Sequence, residues 1–172
     1  EVDGYAGVRI GINVGDKDQM QNRYSRPIIS NTSPFIWINA AEITFLRAEG
    51  ALRGWNLGVE AKALYEQVIN LSFEQYGASG ADAYIADATS QPQSYIDPMG
   101  LYSAGQTSTI TVAWVDGSLN DEANLERIIH QKSIAMFPCT VEAWSDYHRK
   151  GLPPFLIHYA CCRTKSVLIT SP

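Results

Sequence analysis

Apolar side chains recur from Trp37 at steps of three and four, through Ile38, Ala41, Phe45, Ala48 and Leu52. A helix completes a turn in about 3.6 residues, so this spacing draws one stripe along an amphipathic helix. Asn39, Glu42, Glu49 and Arg53 fall mostly off the stripe, and Gly54 stands where a left-handed residue ends a helix. A second helix is predicted from about Val59 to Gln75, with Ala61, Leu64, Tyr65, Val68 and Leu71 or Ser72 facing inward and Gly77 past its end. The linker Gly54–Gly58 is short, so the two helices must fold back as an αα-hairpin. Ala40, Ala41, Ala48, Ala51 and Ala61 permit the close approach seen in tetratricopeptide-like packing.

The pattern is weaker on either side of this hairpin. Residues 1–36 are rich in Gly, Asn, Asp and Ser, lack a helical period, and read as irregular. A short helix is predicted at Ala81–Ala88. The Pro-, Gly- and Ser-rich stretch 89–118 is a long connection of the kind that tends to carry function, with a short extended piece around Ile110, Val112 and Trp114. Periodicity returns from Asp121 to Phe137, where Leu125, Ile128, Ile129, Lys132 and Met136 align behind a cap at Ser118 or Asn120. Pro138 ends that helix. A last one, Val141 to Lys150, is expected to be capped by Thr140 and stopped by Gly151, with Trp144 in the core alongside Trp37 and Tyr65.

Composition narrows the function class. At 172 residues, 45% hydrophobic and 18% charged, the chain has enough apolar content for one folded domain. A net charge of -5 offers no basic field for a phosphate backbone, which argues against nucleic acid as a partner. Cys139, Cys161 and Cys162 are odd in number and two are adjacent, so they outline neither a disulfide framework nor a zinc site.

Candidate chemistry mostly dissolves into helix ends and turns. Glu142 and Asp146 share a helical face, as a paired-carboxylate hydrolase would require. Glu142 in the first turn, however, suits the helix dipole, and Arg149 and Lys150 lie three and four residues beyond Asp146, where ion pairs form. Helix-end placement accounts for all of these residues, and no catalytic residue is assigned. His130, His148 and His158 are scattered without metal-ligand spacing, and Asp16 and Asp18 do not continue into a calcium loop, so no metal or cofactor is assigned. Gly7, Gly11 and Gly15 lack the Lys-Ser/Thr end of a phosphate loop. The sequons at Asn31 and Asn70 match a pattern that is frequent by chance. Aromatic residues on loops carry more promise, because flat apolar faces with polar edges suit sugar rings. Tyr84, Tyr95, Tyr102 and Trp114 are the candidate ligand contacts, with Trp55 a further loop aromatic.

Four stretches together resemble the SusD/RagB family of outer-membrane nutrient-binding lipoproteins: AAEITFLRAEGALRGW (40–55), LYEQVINLSFEQYG (64–77), LERIIHQKSIAMF (125–137) and EAWSDYHRKGLP (142–153). The resemblance implies a mainly α fold, a partial SusD-like arrangement of tetratricopeptide-like helical hairpins with long irregular loops. It also implies non-catalytic capture of oligosaccharides, or of peptides in the RagB-like branch, at the outer-membrane surface. Delivery would be to a SusC-like TonB-dependent transporter, with the membrane reached only through a lipid anchor that is not in this chain. The sequence departs from the family pattern at Ser133, where a Trp is usual, at Cys139-Thr140 in place of Asn-Gly, and at His148-Arg149-Lys150-Gly151 in place of Arg-Arg-Thr-Gly. Residues 1–153 are accordingly expected to form the C-terminal part of a SusD-like domain and 154–172 a divergent tail, in a chain that is partial. A helical-repeat adaptor binding protein through a concave face is the competing expectation.

Overall fold

The computed structural model describes residues 4–9, 12, 16–34 and 36–154. Among them lie six helices and no strand: α1 (Lys17–Arg23), α2 (Ala40–Leu52), α3 (Ala61–Gln75), α4 (Ala81–Ile85), α5 (Asp121–Ala135) and α6 (Thr140–Lys150). The mainly helical expectation therefore holds. Among the described residues two compact units divide the chain: one joins the segment up to Ser33 with Ser94–Gln106, and the other joins Pro34–Gln93 with residues 107–154.

The larger unit is built on the α2–α3 hairpin, against which α5 packs. Phe45 from α2, Leu64, Tyr65 and Val68 from α3, and Ile128 from α5 are all nearly fully buried in one cluster. Glycine sets both ends of the hairpin. Gly54 takes φ +83 while its N–H reaches the Ala51 carbonyl and that of Trp55 reaches Gly50, which satisfies the last carbonyls of α2. Gly77, at φ +63, closes α3 in the same way, with Ala78 N–H on the Phe73 carbonyl.

Helix starts differ from the sequence expectation for a local reason. Asn39 is extended and its side chain accepts a 2.8 Å hydrogen bond from Ala41 N–H, so α2 begins at Ala40 and Trp37 and Ile38 stay outside it. Trp37 is 88% exposed and is not a core residue, whereas Tyr65 is fully buried as expected. Trp144 is only half-buried and packs on its own helix, against Tyr147 and the edge of His148. The capping residue of α5, Asn120, turns its side chain to the Asp116 carbonyl instead of the helix. Thr140 lies within α6, with Cys139 before it giving no side-chain cap. Gly151 ends α6 at φ +69, as its position predicts.

Candidate ligand-binding site

In the larger unit, α4, the chain after it and the polar face of α5 enclose a cavity of about 200 Å³. Asp87 builds one wall. Its carboxylate accepts from Thr89 N–H, the Thr89 hydroxyl and Ser90 N–H, each at 2.9 Å, and its carbonyl accepts from Ala113 N–H. These bonds draw the Asp87 carboxyl well below the usual range, the Ser90 bonds first. They also explain why α4 stops at Ile85 rather than Ala88, since an Asx-type turn competes with helix. The opposite wall comes from α5, where Arg127 donates to the Thr111 carbonyl at 3.0 Å and to Asn124 at 3.2 Å. His130, pushed down to about 4 by burial, is neutral at pH 7 and contributes a polar, uncharged edge.

Tyr84 is the predicted contact that reaches this cavity. Its hydroxyl donates to Gln131 at 3.0 Å and its ring lies 5.4 Å from Phe73, so the ring is fixed in orientation. Trp114, in the same unit, instead leans on Tyr65 at 5.4 Å and belongs to the margin of the core. The backbone on either side of Trp114 is pinned as well, because Tyr65 donates to the Val112 carbonyl and Asn124 to the Val115 carbonyl. No strand forms at Ile110–Trp114; these side-chain bonds take the place of a sheet.

Tyr95 and Tyr102 come together in the smaller unit. Tyr95 forms an antiparallel bridge with Ala104 and donates its hydroxyl to the Gly7 carbonyl at 2.6 Å. Arg9 sits 6.0 Å from the Tyr95 ring centre and donates to the Tyr102 carbonyl at 2.6 Å. Between the two tyrosines, buried Asp97 accepts from Tyr24 at 2.5 Å and from Leu101 and Tyr102 N–H at 2.9 and 3.0 Å. Burial raises the Asp97 carboxyl, but the Tyr24 and backbone bonds outweigh it and hold the group ionised. The four predicted aromatics thus fall into two pairs, one in each unit. Arg127, Gln131, Asp87 and Ser90 were not foreseen as site residues, although Asn124, Arg127 and Gln131 recur at a helical spacing beside the apolar stripe of α5.

Glu142 and Asp146 do not converge on a reacting centre. Asp146 is buried between Lys132 Nζ at 2.9 Å and Arg149 at 3.0 Å, and Lys132 takes the role expected of Lys150. Arg149 also clasps Glu49 through two bonds of 2.6 and 2.8 Å, and Arg53 holds the same carboxylate. Glu49 is therefore buried despite its place off the apolar stripe. Among the described residues no three His, Cys, Asp or Glu side chains come together as metal ligands, and no helix is long and apolar enough to cross a membrane.

The family model described as Susd and RagB outer membrane lipoprotein matches residues 1–167. The chain belongs to the SusD/RagB family. A SusD homologue from Bacteroides thetaiotaomicron is 48% identical with a TM-score of 0.85, over 92% of this chain and 33% of that one. A chitin-binding SusD homologue from Flavobacterium johnsoniae is 46% identical with a TM-score of 0.77, over 88% and 32%. A SusD-like protein from Bacteroides thetaiotaomicron is 43% identical with a TM-score of 0.80, again over 88% and 32%. The chain spans about a third of the length of these solved SusD-like relatives. No curated protein matches it.

Proposed function

We propose that this SusD-like chain serves non-catalytic capture of oligosaccharides at the outer-membrane surface, for delivery to a SusC-like TonB-dependent transporter. The observation that carries the reading is the 46% identity, over 88% of the chain, to a SusD homologue that binds chitin. The cavity beside Tyr84 supports it chemically: a fixed aromatic edge faces amide, hydroxyl and guanidinium groups, the set that orients an uncharged polyol. Trp114 in the same unit, and separately Tyr95 and Tyr102 in the smaller unit, are proposed ligand contacts as well. Buried Asp146 and Glu49 are each held by two cations and serve the scaffold, which sets aside the Glu142–Asp146 pairing as a hydrolytic site.

Calorimetric titration of the chain with chito-oligosaccharides, other neutral oligosaccharides and peptides tests the reading. Oligosaccharide binding without hydrolysis is the expected result, and peptide binding in its place would move the chain to RagB-like capture. Replacing Tyr84, Tyr95, Tyr102 and Trp114 singly by Ala should weaken binding by up to about tenfold each, since an aromatic contact is worth ~0.5–1.5 kcal/mol beyond its area. Unchanged affinity in all four variants would remove these residues from the site.

A further inference from the structure

We infer that the groove between the segment leading into α2 and the α5–α6 turn docks a partner polypeptide, through a segment that sets a lysine or arginine beside a large apolar side chain. The groove encloses about 190 Å³ and is walled by Ile36, Trp37, Met136 and Phe137, with Glu42 and Glu142 lining it from α2 and α6. Its walls are open to solvent to an unusual degree for aromatic residues, Trp37 at 88% and Phe137 at 51%. The space suits individual side chains and not a folded element.

Charge complementarity chooses the occupant. The other two acids that join α2 to α6 are matched: Glu49 by Arg53 and Arg149, and Asp146 by Lys132 and Arg149. Among the described residues no ion pair reaches Glu42 or Glu142. Partial burial and the facing Glu142, through its charge and through a hydrogen bond between the two carboxyls, raise the Glu42 carboxyl; Lys132 of α5 offsets this in part, and Asp146 of α6 adds to it. An apolar segment alone would strip water from two carboxylates without replacing it. A lone cation would leave Trp37 and Phe137 exposed. A segment that brings both groups satisfies walls and floor together, its cation taking the place of the proton that Glu42 and Glu142 otherwise share. This inference concerns a surface apart from the Tyr84 cavity and does not depend on the glycan reading.

The test uses the full chain and two capped synthetic peptides, Gly-Leu-Lys-Leu-Gly and the same peptide with norleucine for lysine. Binding is read by calorimetry and by slowed alkylation of Cys139, an exposed thiol that lines the groove, resolved by peptide mapping. The lysine peptide should bind at least about tenfold more tightly, as one charge-assisted hydrogen bond in place of none implies. It should also protect Cys139. The preference should vanish in the E42Q/E142Q double variant. Trp37→Ala, checked for an unchanged circular-dichroism spectrum, should weaken both peptides. Equal affinity for the two peptides, no binding of either, or a lysine preference that survives E42Q/E142Q would overturn the inference. So would self-association through Trp37 in sedimentation, or occupation of the matching groove by the relative's own chain in the 48% identical SusD homologue.

Discussion

Glu49 and Asp146 each answer to two cations, and Arg149 serves both. Lys132 and Asp146 are 6% and 7% exposed at their side chains, so removing one leaves a bare charge in a poorly solvated place. Asp146→Ala should cost about 3–5 kcal/mol in urea unfolding. Replacing Lys132 and Asp146 together by apolar residues of similar size should cost far less. Titration separates the two kinds of glutamate on α2. Hydrogen bonds from Arg149 lower the Glu49 carboxyl, so its stabilisation is full above the ordinary carboxylate range and is lost as pH falls through the depressed value. The raised Glu42 carboxyl acts in the opposite sense: stability it allows at low pH is lost as pH rises from the ordinary range through the raised value. Glu42→Gln should therefore be more stable than the parent at pH 7, and the difference should disappear below about pH 4, as thermal melts across pH would show. The Asp146–Arg149 pair was legible in the sequence because it is three residues long. The bonds from Arg149 to Glu49 and from Lys132 to Asp146 were not, because only the packing of α6 against α2 and α5 brings those groups together.

Among elements, the connection from 89 to 118 departs furthest from its sequence reading. Its composition suggests an irregular connection, yet α5 ties residues 111–115 down with polar side chains. Asn124 is 1% exposed, donates to the Val115 carbonyl at 2.8 Å and accepts from Arg127, which also holds the Thr111 carbonyl. Asn124→Ala should cost about 1–3 kcal/mol, the price of leaving buried polar partners unmade. Amide exchange should accelerate across 111–116 before it does in α2 or α3. Unchanged exchange there would mean that the loop is held by Tyr65 and Trp114 instead. Apolar periodicity revealed α2, α3, α5 and α6 because each buries one stripe. It could not reveal this loop, since its anchors are an amide and a guanidinium placed by a helix some ten residues later. The same blindness put Trp37 in the core: three-and-four spacing carries on through Ile38, but one hydrogen bond from Ala41 to Asn39 starts the helix after it.

At the scale of the molecule, the family was legible because four separated stretches agree with it in order, and the match to residues 1–167 rests on the whole span. The surroundings of the candidate aromatics were not, since composition cannot distinguish Tyr84, which edges a cavity, from Trp114, which packs on Tyr65 at the margin of the core. Net charge separates the two binding surfaces proposed for this chain. With a balance of -5, the protein's net field favours cations, but a neutral oligosaccharide carries no charge for that field to act on. Raising salt from about 0.1 to 1 M shortens the Debye length from about 10 to 3 Å and should leave oligosaccharide affinity within about twofold. The same change should weaken the lysine peptide much more, because its preference arises from two carboxylates in a groove open to solvent. Measuring both ligands across one salt series therefore assigns each to its surface without any substitution. A glycan affinity that fell with the peptide's would mean that charge, and not stacking and hydrogen bonding, governs capture.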